Sequence, residues 1–344
     1  MEGRIWIGTI SKWRTSLGRV FRLGWMLSPA VLAIAAAGCG GGGGNLGPSR
    51  IAFFSNRTGT GEVWVMDMNG ANLVNVSAGQ GDGHVWDPFG TKIAFVSNRT
   101  GNWDVWLVNA NGTGLTQLSN DPSVEGDLDW KPSGDKLVYV KSGVGLVERD
   151  LVTNTETLLT NAGSFFLTPK YSPSGADVVF AWSPLGTDTE IAKIPSTGGA
   201  PTNLTNDSAN QDTLPRWSPN GQQIAWLKAG NLWVMDANGA NQTQLTNTGN
   251  VTWLAFSPNG QFLAYVDNGD IWRLTWSGTS WGSPVQLTTT GDNFTPCWTA
   301  DSLAIVFMSL RSGNAEIWRM RFDGSGQINL TNHAAVDEEP QCSP

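Results

Sequence analysis

The residues of this chain best placed to do chemistry are carboxylates. Asp82, Glu125, Asp127, Asp129, Asp212, Asp292, Asp337, Glu338 and Glu339 fall in short stretches that each run into an aromatic residue or Cys342 within a few positions. Carboxylates gathered from several such stretches focus negative potential and attract cations or basic segments. They also supply the oxygen ligands that Ca²⁺ takes, although no D-x-D-x-D-G loop accompanies them. The competing use of each Asp is to cap a turn through its own backbone. Asp82, Asp127, Asp212, Asp292, Asp337 and Glu338 form the candidate binding set. Other chemistries lack their residues. The chain has two histidines, His84 and His333, and neither has a Cys or Glu at zinc-ligand spacing. No Gly-rich phosphate loop, Ser–His–Asp set or strand-framed dinucleotide motif stands out, so no catalytic residue, metal or cofactor is expected.

The acidic stretches recur because the chain does. Pro215 to Thr246 reads as four short strands: Pro215-Arg216-Trp217, Ile224 to Leu227, Leu232 to Asp236 and Thr243 to Thr246. Ser218-Pro219-Asn220-Gly221 closes the first, with Pro second and Gly fourth as a type I turn prefers. Aligned on Trp217, the unit repeats at Trp86, Trp130, Tyr171, Phe256 and Trp298, with spacings of 44, 41, 46, 39 and 42 residues. A four-stranded unit of that period is the mark of a β-propeller, since such a sheet is unstable alone and must bury its faces against neighbours. An all-β chain is therefore predicted.

The two ends set the number of blades. Ile51 to Phe54 is a second strand without a first, and Glu339 to Pro344 is a first strand that stops at its turn. Pairing them closes the ring without a free sheet edge. The 294 residues from Ile51 to Pro344 divide into seven units of 42, so a single seven-bladed propeller over 50–344 is predicted.

Residues 1–38 read as a targeting segment. Arg4, Lys12, Arg14, Arg19 and Arg22 precede the apolar, Ala-rich run Leu23 to Gly38, which is too short for a membrane span. Ala36-Ala37-Gly38-Cys39 resembles a bacterial lipobox, which implies lipid on Cys39, and residues 39–49 then form a Gly-rich tether. Cleavage leaves 16 cationic against 28 acidic side chains, about −12 in place of −8. Such a charge disfavours nucleic acid as a partner.

Ser55-Asn56-Arg57-Thr58-Gly59 before Glu62-Val63-Trp64, Met66-Asp67 with Asn69-Gly70, and the closing Leu-Thr pairs complete a repeat that resembles TolB-type propellers with WD40-like units over essentially all of 50–344. The resemblance to TolB itself would imply six blades and a separate N-terminal α/β domain, and this chain departs from both. Peptidases with related propellers carry an α/β-hydrolase domain, for which there is no room, so no G-x-S-x-G nucleophile elbow is expected.

Three further groups carry expectations. Trp86, Trp130, Trp217 and Trp298, and Trp64, Trp106, Trp233, Trp272 and Trp318, keep register with the repeat and are read as blade-to-blade packing. Trp103, Trp276 and Trp281 fall out of register and are read as exposed rings. Arg57, Arg99 and Arg311 each precede an acid by five residues (Glu62, Asp104, Glu316), and pairing across the hairpin is expected. Cys342 lies in the anchor register and Cys297 one residue before it, so alternation puts them on opposite sheet faces. This is compatible with a bridge across the closure and with thiols turned apart. The spacing of packed sheets, about 10 Å against the roughly 4.4–6.8 Å a bridge needs, favours two separate thiols.

These readings point to a non-catalytic, monomeric, lipid-anchored propeller of the bacterial cell envelope, periplasmic or outer-surface, that scaffolds a protein or basic peptide partner. The alternative is a polysaccharide-binding or lyase-like propeller, which needs a cluster of His, Arg or metal ligands at the channel mouth.

Overall fold

The computed structural model describes residues 49–344, apart from 161–164, 184–187 and 208. The signal segment, the Cys39 lipid site and the Gly run expected from the sequence lie outside the described residues. Every regular element among the described residues is a strand, and the strands form seven four-stranded antiparallel sheets. No helix among them is long and apolar enough to cross a membrane.

Blade one is assembled from both ends of the chain. Its inner strand Asp337–Cys342 pairs with Arg50–Ser55, followed by Glu62–Asp67 and Val74–Asn75. Ile51 faces Cys342 and Ser55 faces Asp337 in that pairing, the closure predicted from the two chain ends. The inner strands of blades two to seven are Asp82–Trp86, Glu125–Trp130, Phe165–Tyr171, Asp212–Trp217, Val251–Phe256 and Asn293–Trp298. Each touches the next around a closed ring, blade seven meeting blade one.

The recurrent sequence marks now have physical jobs. The turn after the inner strand of blades two to seven returns the fourth N–H to the first carbonyl, as in Gly221 to Ser218 and Gly260 to Ser257. The degenerate Thr299-Ala300-Asp301-Ser302 makes the same bond, with Ser302 at φ 61° where the other blades use glycine. The closing Leu-Thr, Leu-Ser or Val-Ser supplies a hydroxyl that accepts a third-strand N–H in all seven blades, as from Val63 to Ser77 Oγ at 3.0 Å and from Leu232 to Thr246 Oγ1 at 2.9 Å. The outermost strand is only two residues long in six blades, and that hydroxyl continues its hold on the third.

The apolar core is divided among the junctions between blades. Ala52, Val63 and Val65 of blade one pack on Trp86, Ile93 and Phe95 of blade two, and the pattern continues round to Phe53 and Met66 against Val306 and Ile317 of blade seven. The in-register Trp residues do the packing expected of them. Trp86, Trp130, Trp217 and Trp298 are buried, and each indole N–H donates across the junction to the preceding blade, to Gln341, Val85, Lys170 and Ala255 carbonyls at 3.0–3.3 Å. The acceptor is always the residue just before the neighbouring anchor.

That rule explains the cysteines. Cys342 stands in the anchor position of blade one and Cys297 just before the anchor of blade seven, and they form a disulfide with Cα atoms 5.9 Å apart. The expectation of two separate thiols is thus overturned. The spacing of stacked sheet faces was the wrong measure, because inner strands of successive blades converge at the axis. The bridge occupies the place that an indole hydrogen bond fills at four other junctions.

Candidate functional site

The inner strands share one irregularity. The register with the second strand slips in every blade, for example between Asp82 and Val85 and between Gly126 and Asp129. At the slip the backbone is left-handed in six blades: Gly83, Asp127, Thr168, Leu214, Thr295 and Glu339 have φ between 47° and 55°. Trp253 holds the equivalent place in blade six. Such bulges re-aim side chains, here on the strands that surround the axis.

Blades three to five place four charges there. Lys170 Nζ donates to Asp129 Oδ1 at 3.1 Å and to the Leu128 carbonyl at 3.2 Å, while Tyr171 N–H donates to Asp129 Oδ2 at 2.8 Å. Thr168 N–H donates to Asp127 Oδ2 at 3.0 Å. Arg216, on blade five, holds its Nη1 on the Pro215 carbonyl at 2.9 Å and its guanidinium 5.9 Å from the Trp253 ring. All four are buried. Burial pushes the Asp127 carboxyl up to about 6, against the Thr168 N–H, Lys170 and Arg216, which favour the charged form. Asp129 is raised and Lys170 lowered by the same desolvation, and Arg216 falls to about 10, still charged at neutral pH. Asp127 of blade three feels Arg216 of blade five although blade four lies between them, so charges on three successive inner strands act on one another. Lys170 and Arg216 were not singled out from the sequence. Their signal was the position just before the anchor, which is apolar, Cys or Gln in four other blades.

The structure divides the candidate acids. Asp337 is fully buried and turned into its own blade, where Arg57 Nη2 holds it at 2.8 Å. Asp212 is fully buried too, near Thr205, Trp226 and Lys228, and desolvation lifts it to about 6. Asp292 is half-buried beside the start of its strand, in the field of Arg311. Asp82 and Glu338, also half-buried, come together with Glu339 across the junction of blades one and two. Burial first, then those two neighbours, raise the Glu339 carboxyl well above its usual range. No group of three or more His, Cys, Asp or Glu among the described residues is arranged to hold a metal ion.

Two sequence readings need correction. Arg57, Arg99 and Arg311 do not pair with the acids five residues on. Each guanidinium lies over the third-strand Trp of its blade, at 4.9, 4.6 and 4.7 Å from Trp64, Trp106 and Trp318. From there it reaches the head of the inner strand: Asp337, the Gln80 carbonyl and Asn293 Oδ1. Glu62, Asp104 and Glu316 instead accept from Thr58, Thr100 and Thr331. A ring face plus a part-buried oxygen acceptor holds the arginine better than a solvent-exposed pair. Trp103, Trp276 and Trp281 are half-buried, not exposed; Trp276 and Trp281 pack at 5.1 Å, and Trp281 lies 5.9 Å from Phe256. Finally, Gly278-Thr279-Ser280-Trp281-Gly282 does spell G-x-S-x-G, but in a loop between the strands Asp270–Thr275 and Val285–Gln286. Ser280 is exposed and bonded to Ser277, without the strand-to-helix turn that makes a nucleophile.

Stability should report the buried Asp127. Its folded pKa is raised, so its contribution is complete below about 3.8 and is lost as pH rises through about 6. His84 acts in the other sense: burial lowers it to about 4, and its contribution fades as pH falls below its unfolded value. Asn keeps the shape of Asp127 and tolerates the left-handed backbone. Relative to the parent, Asp127→Asn should gain about 3 kcal/mol between pH 4 and pH 7.5, measured by urea unfolding at both. Parallel profiles would show that Asp127 does not titrate in this range.

Comparison with known proteins agrees with this architecture. The family model described as the TolB beta propeller domain matches residues 144–344, more than half of the chain. TolB from Acinetobacter baumannii is similar in structure, with 20% identity, 86% of this chain and 67% of that one covered, and a TM-score of 0.56. An oligogalacturonate lyase in complex with manganese is similar at 17% identity, covering 83% and 86%, with a TM-score of 0.62. An oligogalacturonate lyase from Vibrio parahaemolyticus is similar at 13% identity, covering 83% and 85%, with a TM-score of 0.60. At these identities the structural likenesses speak to fold alone. No match is found among curated proteins. The extent of the family match, joined to the seven repeats, is decisive: the chain belongs to the TolB β-propeller family.

Proposed function

We propose that this protein is a non-catalytic, lipid-anchored propeller of the bacterial cell envelope that scaffolds a protein or basic peptide partner at the acidic end of its channel. The carrying observation is the surplus of acids on the inner strands, where Asp82, Glu338 and Glu339 gather at one junction. Membership of the TolB β-propeller family supports a protein partner. Ala36-Ala37-Gly38-Cys39 supports the anchor. A Gly-rich tether of the ten residues 40–49 would give an r.m.s. reach of about 17 Å between anchor and propeller.

Two measurements test this reading. Labelled fatty acid should enter the full chain and be absent from Cys39→Ala. The lipidated protein should retain a specific partner in a pull-down read by mass spectrometry, and a Lys- and Arg-rich peptide should bind more weakly as salt rises, because exposed charges are screened within about 8 Å at physiological ionic strength. Unlabelled protein would remove the anchor. Salt-independent peptide binding, or turnover of an acidic polysaccharide, would remove the scaffold reading.

A further inference from the structure

Inner strands are docked at their heads to the blade before them. The N–H that opens the strand donates to the carbonyl just ahead of the preceding blade's third strand: Glu125 to Trp103 at 2.9 Å, Asp212 to Thr189 at 2.8 Å, Asn293 to Gly269 at 2.8 Å and Asp337 to Ala315 at 2.9 Å. That bond sets the first residue of the inner strand beside the first residue of the neighbouring third strand. At three junctions both residues are acids: Asp104 with Glu125, Glu190 with Asp212, and Glu316 with Asp337. All six are buried. Between blades six and seven an amide takes the second place, Asp270 with Asn293.

Cations serve these pairs unequally. Arg57 Nη2 holds both oxygens of Asp337, at 2.8 and 2.9 Å. Lys141 Nζ stays 3.7 Å from Glu125 Oε1 and donates instead to Glu156 at 2.9 Å, with Asp121 as its other partner. Glu125 reaches into blade two all the same. Its Oε2 accepts from Ser119 Oγ at 2.5 Å, the hydroxyl that also receives the Val105 N–H, one residue from Asp104. Asp104 Oδ2 accepts from Thr100 and Gln117. The remaining oxygens, Asp104 Oδ1 and Glu125 Oε1, make no hydrogen bond among the described residues, and both side chains are at 0% exposure. Two neighbouring buried carboxyls, each with an oxygen unmet, are costly to charge together.

We propose that Asp104 and Glu125 form a proton-held latch between blades two and three: the pair keeps one proton, and its loss as pH rises leaves two buried carboxylates side by side and loosens that junction. Burial lifts the Glu125 carboxyl to about 7, against the Ser119 hydroxyl and Lys141, while Asp121 and Asp104 add to the rise. Behind Lys141 stand Glu156, which also pairs with Arg149, and Tyr139, whose hydroxyl donates to Glu156 at 2.6 Å. With the folded value above the ordinary 4.5, the contribution of the latch is complete below about 4.5 and is lost as pH rises through about 7. The ring is therefore held tightest in mildly acidic surroundings. This inference does not depend on the envelope reading.

Hydrogen–deuterium exchange of the full chain tests it, read by mass spectrometry at pH 5.5 and pH 8 and corrected for the intrinsic pH dependence of amide exchange. The strands Asp104–Asn109 and Glu125–Trp130 should lose about tenfold or more of their protection at the higher pH. Asp270–Thr275 and Asn293–Trp298, where an amide replaces the second acid, should keep theirs. In Glu125→Gln, a neutral side chain of the same shape, most of the loss should vanish. Asp127 lies in the same strand, but it is present in both proteins and cancels in the comparison. If that variant does not fold, Asp104→Asn removes the other charge and should flatten the response likewise. A loss that persists in the folded variant, a loss uniform across all seven blades, or no loss in the parent would each overturn the proposal.

Discussion

Removing residues 340–344 is expected to destabilise the protein by on the order of 5 kcal/mol or more. Those five residues carry Cys342, whose bridge to Cys297 closes a 45-residue separation. In the chain-entropy view a loop of that size is worth about 4 kcal/mol. The same residues carry the Gln341 carbonyl that receives the Trp86 indole at 3.1 Å. Ser343 and Arg50 exchange two further bonds, at 2.8 and 2.9 Å. The truncation also strips Arg50–Ser55 of half of one partner and leaves a sheet edge there. Guanidinium unfolding of the truncated and full chains decides the matter, with Cys342→Ser as an intermediate case. Equal midpoints would mean that the ring is not held at this junction.

The second large effect concerns Trp226, the largest of the fully buried side chains. It belongs to the core between blades four and five, with its ring 6.0 Å from Trp233. Trp226→Ala should cost about 3–5 kcal/mol through lost burial and the cavity left behind. Trp226→Phe should cost less than about 1.5 kcal/mol, because it keeps most of the apolar volume. The chain itself offers the precedent: Phe53, Phe95, Phe180 and Phe307 stand in the same strand position of four other blades, all without exposure. Similar losses for both variants would indicate that the indole N–H, near Asp212, matters more than the ring.

The contrast between these two sites shows what the sequence makes legible. Blade number, strand order and closure follow from Trp217 and its equivalents, because a repeat forces every copy into the same environment. Trp86 and Trp298 are buried for the reason Trp217 is. What escaped was whatever depends on the relation between copies. Lys170 and Asp129 lie 41 residues apart and meet only because consecutive inner strands adjoin. Arg57 was assigned to Glu62 by proximity in sequence, yet its ion pair is with Asp337 at the other end of the chain. The candidate acids were chosen by position ahead of an anchor, and that position holds two directions. Asp337 turns into its blade, whereas Asp127, at the bulge, reaches across to the Thr168 N–H of the next blade; a period-two strand without the bulge gives no way to tell them apart.

The way the first strand enters blade one has a mechanical consequence. Arg50–Ser55 lies between two strands, with Glu62–Asp67 on one side and Asp337–Cys342 on the other. A tension applied through the residues ahead of Arg50 is therefore carried along both edges of that strand at once, as a load shared between two ladders. On one side the load passes from the closing strand through a covalent bond into blade seven. A pull from the N-terminal side would have to tear a strand from the middle of a sheet before the ring could open, so the end of the fold nearest any tether is braced on both sides.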